Sequence, residues 1–220
     1  MRGETKARVI NPWDHNSHYH EFLLKQLPSH IERALDIGCG HGAFASRLAE
    51  LATQVDAVDV DIYALNEARR LCTGYPNLKF IHGDFMTLNL PTAHYDVVTS
   101  LAALHHMELF QALKQMRRVL RPGGVLAVLG LYREATISDY MASAVGVLAN
   151  LVYRHAIHRP VIHRHNITDS AQVITAKAPT STLREIKVAA NAVTPGAWIR
   201  RHLLWRYSLI WEKPVMNGTG

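Results

Sequence analysis

A chain of 220 residues with 48% hydrophobic and 19% charged residues has the length and apolar content for one ordinary core, which excludes an intrinsically disordered polypeptide. Its formal charge of +6 permits attraction to nucleic acid, acidic lipid or anionic small molecules without requiring any of them. The opening MRGETKARVI lacks the apolar run of a signal peptide, and the longest nearly apolar stretch, Met141 to Tyr153, falls short of the ~20 residues of a membrane span. Only Cys39 and Cys72 are present, too few for a disulfide framework, so a soluble protein of the reducing cytoplasm is expected.

In chain order, Glu21 to Leu27 reads as a short amphipathic helix stopped by Pro28, and RALDIG as a buried strand. A glycine-rich turn then opens a helix over Ala43 to Ala52. QVDAVDVD is a second strand, Ile62 to Cys72 a second helix of the core and LKFIHGDF a third strand. YDVVTSL follows as the fourth, Leu109 to Leu120 as a helix, and RPGG turns the chain into a fifth strand, VLAVLGL. Strand and helix alternating at this spacing predict an α/β, Rossmann-like doubly wound sheet with helices on both faces. The alternation breaks at a helix-like segment from Ile137 to Tyr153 and a loop rich in His and Arg. A last helix, about Ser181 to Ala192 and capped by Thr180 or Ser181, precedes two strands, AWIRRHL and RYSLIWEKP. The link between those strands is too short for a helical crossover, so they form an antiparallel hairpin and complete seven strands.

Residues 35 to 50, LDIGCGHGAFASRLAE, place three glycines in five positions between a strand and a helix. Gly38, Gly40 and Ala43 satisfy the dinucleotide pattern G-x-G-x-x-G/A, and Asp59 stands where an acid meets ribose hydroxyls. Tyr75 and Lys79 have the spacing of a short-chain dehydrogenase pair, but Pro76 and a loop setting argue against that role. Three acids at strand ends, Asp36, Asp59 and Asp84, discriminate further: they repel pyrophosphate and suit a ligand carrying a sulfonium, an ammonium and a ribose. The glycines then admit the amino-acid portion of that ligand close to the backbone.

The stretches ALDIGCGHGAF, VDAVDVD, FIHGDFMTLNLP, YDVVTSLAALHHM and MRRVLRPGGVLAV resemble the successive motifs of class I S-adenosylmethionine-dependent methyltransferases. The likeness is to their small-molecule branch, which includes the ubiquinone and menaquinone biosynthesis enzymes, and it covers about residues 30 to 132. It implies that Asp36, Gly38, Cys39, Gly40 and Gly42 surround the methionine part of S-adenosyl-L-methionine, with Asp59 on the ribose and Val60 on the adenine. It further implies Asp84 and Phe85 at the adenine amino group, and Ser100 and Leu101 beside the methionyl amine. Residues 1–30 are expected to cap the cofactor, 31–133 to form its binding core, 134–180 to form a helical lid, and 181–220 to complete the same domain.

Methyl transfer from a sulfonium is an in-line displacement, so much of the acceleration comes from alignment, and a base is needed only for a protonated acceptor. His105 and His106, after the fourth strand, are candidates by position and by the near-neutral titration of imidazole. The N-terminal WDHNSHYH adds Trp13, His15, His18, Tyr19 and His20; Tyr19 is expected to close on the methionyl end and His15 or His20 to face the acceptor. The histidines at 155, 158, 163 and 165 lack metal-site spacing and read as solvated loop residues. Tyr132, Tyr140 and Tyr153 favour an apolar or aromatic acceptor, while arginines 154, 159 and 164 suit a carboxylate or phosphate on it. Oxygen is placed slightly ahead of carbon or nitrogen as the accepting atom, in a monomer or homodimer. Two alternatives stand beside this reading: a nucleic-acid methyltransferase, disfavoured because TSLAAL replaces the Pro-Pro-aromatic motif of amino-methylating enzymes, and a non-transferring cofactor-binding protein.

Overall fold

The computed structural model describes residues 19–134, 178–202 and 205–215. Helix α1 (His20–Leu24) precedes β1 (Ile31–Ile37), α2 (Ala43–Ala49), β2 (Ala52–Asp59), α3 (Ile62–Leu71) and β3 (Leu78–His82). The chain continues through β4 (Tyr95–Leu101), one 3-10 turn (Leu104–His106), α4 (Leu109–Val119) and β5 (Leu120–Leu131). After residues 135–177 come α5 (Leu183–Val193), β6 (Trp198–Arg201) and β7 (Arg206–Glu212). The strands form one seven-stranded sheet in the order β3-β2-β1-β4-β5-β7-β6. The first five run parallel, and β7 lies antiparallel between β5 and β6, as the short connection requires.

Alternation along the strands divides the interior into two cores. Ala34, Val55, Val97, Ala127 and Leu129 meet Leu23 of α1 and Phe44 and Leu48 of α2 on one face. Leu35, Ile37, Val58, Val98, Leu126 and Val128 meet α4, α5 and Trp211 on the other. Both faces are covered, which is why the inner part of β5, Val125–Leu131, reads as an unbroken apolar run in sequence. Order reverses between β1 and β4: the chain builds outward from β1 to β3, then returns to the other side. The resulting crevice at the carboxyl ends of β1 and β4 is the usual ligand position in such sheets.

Several boundaries differ from the sequence expectations. The first helix ends at Leu24 rather than Leu27, and Ala52, expected to close α2, begins β2. RPGG lies within the extended run Leu120–Leu131, where the register with β4 shifts between Tyr95 and Val97, so the turn is an irregularity inside a strand. The cap of α5 is Thr182, not Thr180 or Ser181: its hydroxyl accepts from Glu185 N–H while Glu185 reaches back to the Thr182 N–H. The apolar segment Ile137 to Tyr153 and the histidines and arginines after it lie outside the described residues. Described residues that flank residues 135–177 come together, however. Arg133 bridges Thr182, its N–H donates to Ser181 O at 2.8 Å, and Trp205 Nε1 donates to Glu134 at 2.9 Å.

Candidate cofactor site

The glycine turn is held by β2. Gly38 and Cys39 N–H both donate to Val58 O, at 2.8 and 3.1 Å, and Gly40 N–H donates to Asp59 Oδ2 at 2.7 Å. Gly38, Gly40 and Gly42 have φ of 72°, 51° and 79°, left-handed values that strain any residue with a Cβ. Gly38 carries a second constraint. A Cβ there would lie 2.2 Å from the Cβ of Ala103, so the turn after β1 is in contact with the turn after β4. The latter is itself unusual: Ala102 sits at φ 53°, fixed by its N–H to Leu129 O at 2.7 Å.

The three acids stand on adjacent strands, and their order along the rim follows the sheet: Asp84 after β3, Asp59 ending β2, Asp36 near the end of β1. Asp84 is exposed and uses Oδ1 to accept Met86 N–H at 2.9 Å. Asp59 is half-buried and accepts Gly40 N–H on one oxygen and Asp61 N–H on the other, the second at 2.9 Å. Asp36 is 2% exposed and accepts from Thr99 Oγ1 at 2.7 Å. Burial pushes its pKa up to about 7, the Thr99 hydrogen bond opposes that, and the nearby Asp59 charge adds to it. Burial and the same two carboxylates push the Cys39 thiol well above its ordinary range, so it is no nucleophile here.

The remaining predicted residues occupy distinct settings. Val60 is 65% exposed beside the acidic rim, and its carbonyl accepts from His82 Nε2 at 3.1 Å. Phe85 is core, with its ring in the cluster that contains Leu35 and Val98. Ser100 is fully buried, on the β4 face that includes Val98, and its Oγ has no hydrogen-bond partner among the described residues; Leu101 is half-buried. Tyr19 and His20 are both buried. Tyr19 lies 5.1 Å from the His202 ring centroid, and His20 meets Phe44 edge-on at 5.0 Å. Burial raises the Tyr19 pKa, with Arg206 opposing. His105 and His106 share the 3-10 turn with ring centroids 4.0 Å apart; His106 is exposed, while His105 lines a small cavity with Leu131 and Tyr207. His15, Trp13 and His18 lie outside the described residues.

Thr99, Ala103 and Ala102 belong to the site and were not singled out from sequence. For Thr99 a signal was available: β1 and β4 pair Asp36 with Thr99, so one register assignment places the hydroxyl beside the buried acid. Ala103 and the φ of Ala102 leave no trace in residue type.

Residues 35–128 match the family model described as a methyltransferase domain. A protein of Mycobacterium tuberculosis, named only as an uncharacterized methyltransferase, is 35% identical over 208 residues, covering 93% of this chain and 98% of its own. The chain belongs to the class I S-adenosylmethionine-dependent methyltransferases. The 27-O-demethylrifamycin SV methyltransferase of Amycolatopsis mediterranei is 36% identical over 102 residues, 44% of this chain and 38% of its own. N-methyltransferase NodS from Bradyrhizobium japonicum, solved with S-adenosyl-L-homocysteine, shares the fold at a TM-score of 0.62 and 17% identity, over 94% of this chain and 95% of its own. The enzyme is therefore a methyltransferase of the small-molecule type using S-adenosyl-L-methionine. The residues present fit that cofactor. The rim offers carboxylates and an exposed apolar side chain for a nucleoside, and the turn leaves open space at Gly40, where nothing lies within 4 Å of the position a Cβ would take. Among the described residues no helix is long and apolar enough to cross a membrane.

Proposed function

We propose that this methyltransferase acts on a small apolar or aromatic acceptor, with oxygen as the accepting atom ahead of carbon or nitrogen. The observation that carries the reading is the acidic rim itself, three carboxylates in sheet order beside a glycine turn, which attracts a cationic nucleoside and repels a phosphorylated one. Support for oxygen comes from relatives whose names specify it, the rifamycin enzyme and the malonyl-[acyl-carrier protein] O-methyltransferase of Enterobacter lignolyticus.

When bound, the cofactor supplies a methyl group already activated on a sulfonium. The chain's work is alignment. Asp36 and the Gly38–Gly42 turn, with Cys39 contributing backbone, hold the methionine portion; Ser100 and Leu101 flank its amine. Asp59 takes the ribose hydroxyls, Val60 covers the adenine face, and Asp84 with the Phe85 backbone meets the adenine amino group. Tyr19 closes the methionyl end from the α1 side, and residues 1–30 and 134–180 select the acceptor. Where the acceptor is protonated, exposed His106 is the base, and half-buried His105 and buried His20 orient the walls. His15 belongs to the same acceptor-facing group.

The test is calorimetry with S-adenosyl-L-methionine, S-adenosyl-L-homocysteine and a nicotinamide coenzyme, then transfer of labelled methyl to phenols, carboxylic acids, amines and RNA. Cofactor uptake with product on a hydroxylic small molecule is expected. Product on RNA alone would establish the nucleic-acid alternative, and cofactor affinity with no product would establish the non-transferring one.

A further inference from the structure

Val60 is the single step between two regular elements, since Asp59 ends β2 and Asp61 caps α3. It belongs to neither the strand ladder nor the helix, so the polar groups of its peptides must find partners of another kind. The residue is aliphatic and yet 65% exposed, beside the acids of the rim. Such a side chain offers a ready face to a flat ring when its backbone is fixed before the ring arrives.

Three hydrogen bonds fix that backbone. The Asp59 carbonyl accepts Gly83 N–H at 2.9 Å, and Asp61 N–H donates to Asp59 Oδ1 at 2.9 Å. The third is made by the Val60 carbonyl, which accepts from His82 Nε2 at 3.1 Å. The last two hold both polar atoms of the Val60–Asp61 peptide, its oxygen from β3 and its nitrogen from β2, so the peptide plane cannot turn without losing one of them. Asp59 takes part in two of the three ties, and His82 supplies the one that Asp59 does not. The register explains its reach. Asp59 pairs with His82 across β2 and β3, so the imidazole starts one rung short of Val60 and extends the ladder past the end of the strand. His82 is exposed, and β3 is the outermost strand on that side of the sheet, so core packing does not dictate the contact.

We propose that His82 is a positioning residue for the cofactor: by holding the Val60 carbonyl it presets the Val60 side chain as the platform for the adenine ring. The inference rests on the proposed place of Val60 at the adenine. Calorimetry of the full chain with S-adenosyl-L-homocysteine tests it in His82→Asn, His82→Gln, Val60→Ala and the double variant Val60→Ala, His82→Asn. Gln carries its amide nitrogen about as far from the backbone as Nε2, whereas that of Asn falls short. His82→Asn is expected to bind about three- to tenfold more weakly than the native chain, and His82→Gln within about twofold of it. In the Val60→Ala background the Asn substitution should cost less than about twofold more, because a platform already cut back leaves little to hold. The ligand-free melting temperature of His82→Asn should stay within about 3 °C of the native value, as befits an exposed residue. Native affinity in His82→Asn, a Gln variant as weak as the Asn variant, or full additivity in the double variant overturns the inference while Val60→Ala alone still weakens binding. A larger fall in melting temperature also overturns it, by making His82 part of the scaffold. S-adenosyl-L-homocysteine affinity unmoved by Val60→Ala strikes instead the reading of Val60 at the adenine, and the inference goes with it.

Discussion

Replacing Asp36 by Asn should stabilise the ligand-free protein at alkaline pH while weakening its hold on the cofactor. Asp36 is 2% exposed, and its pKa is raised from an ordinary 3.8 to about 7. Since the folded value lies above the unfolded one, the associated stability is complete below about pH 4 and is lost as pH rises through 7. The raised pKa corresponds to a cost of about 4 kcal/mol for holding the charge above pH 8, an upper figure for a site that opens to solvent at its rim. Asn keeps the shape and still accepts the Thr99 hydroxyl now 2.7 Å from Asp36 Oδ1, so the variant avoids the charge cost without leaving a cavity. Urea denaturation of both proteins without cofactor, at pH 5 and pH 8, measures the effect: the variant should gain at pH 8 relative to pH 5 by roughly 2–4 kcal/mol over the native chain. His202 titrates in the same range but is present in both proteins and cancels in the difference. Calorimetry should show S-adenosyl-L-homocysteine bound at least about tenfold more weakly by Asp36→Asn, because the proposed place of Asp36 at the methionine portion makes its carboxylate the counter-charge to a cationic amine. The reasoning fails if the variant is no more stable than the native chain at pH 8, or if cofactor affinity is unchanged.

Three further outcomes follow from the geometry. Gly38→Ala combines φ 72° with a 2.2 Å clash on Ala103; it should cost about 2–3 kcal/mol and abolish cofactor binding, and Ala103→Gly should restore part of the stability in a double-mutant cycle. Thr182→Ala removes the capping box of α5 and should lower stability by about 1 kcal/mol in a thermal melt, with cofactor affinity unchanged because the helix lies beyond the rim. Burial lowers the His202 pKa to about 4, with Arg200 adding to the effect, so stability is lost as pH falls below 6.5 toward 4; His202→Gln should flatten that limb of the pH–stability curve.

Much of this fold was legible in the chain because alternation of apolar runs and helical patterns is a local signal. The rise of β1 into the glycine turn, the placing of acids at the ends of β1 to β3 and the reversed last strand follow from spacing alone. What escaped were features created by two segments meeting. The cap of α5 depends on which of three consecutive hydroxyl or cap-forming residues, Thr180, Ser181 or Thr182, has Glu three positions on, and only Thr182 does. That was readable and was missed. The contact of Gly38 with Ala103 was not, since nothing in either residue specifies its partner. Tyr19 and His20 stood out in sequence as polar aromatics near a site, yet burial against His202 and Phe44 gives both a packing role that composition does not reveal. Likewise Phe85 lies in the core, in a cluster drawn from several strands and helices distant in sequence.

The double engagement of Asp59 ties the shape of the site to its proposed chemistry. A carboxylate offers about four lone-pair positions, and two are used internally: one by Gly40 N–H, which fixes the glycine turn, and one by Asp61 N–H, which fixes the start of α3. Asp61 in turn caps α3 by accepting Tyr63 and Ala64 N–H, so Asp59 and the helix behind it form one hydrogen-bonded unit. The remaining positions of Asp59 are enough for the two ribose hydroxyls proposed to bind there, and its two internal hydrogen bonds hold the carboxylate in place before any ligand arrives. Binding then needs little reordering of the turn, which is what alignment-driven catalysis requires of its scaffold. It also makes Asp59→Ala a more damaging change than a lost ligand contact alone, because the turn around Gly40 loses its anchor together with the ribose. Stability and affinity should fall together in that variant, whereas in Asp36→Asn they move in opposite directions at pH 8. Measuring both quantities in both variants therefore separates an acid that builds the site from one that charges it.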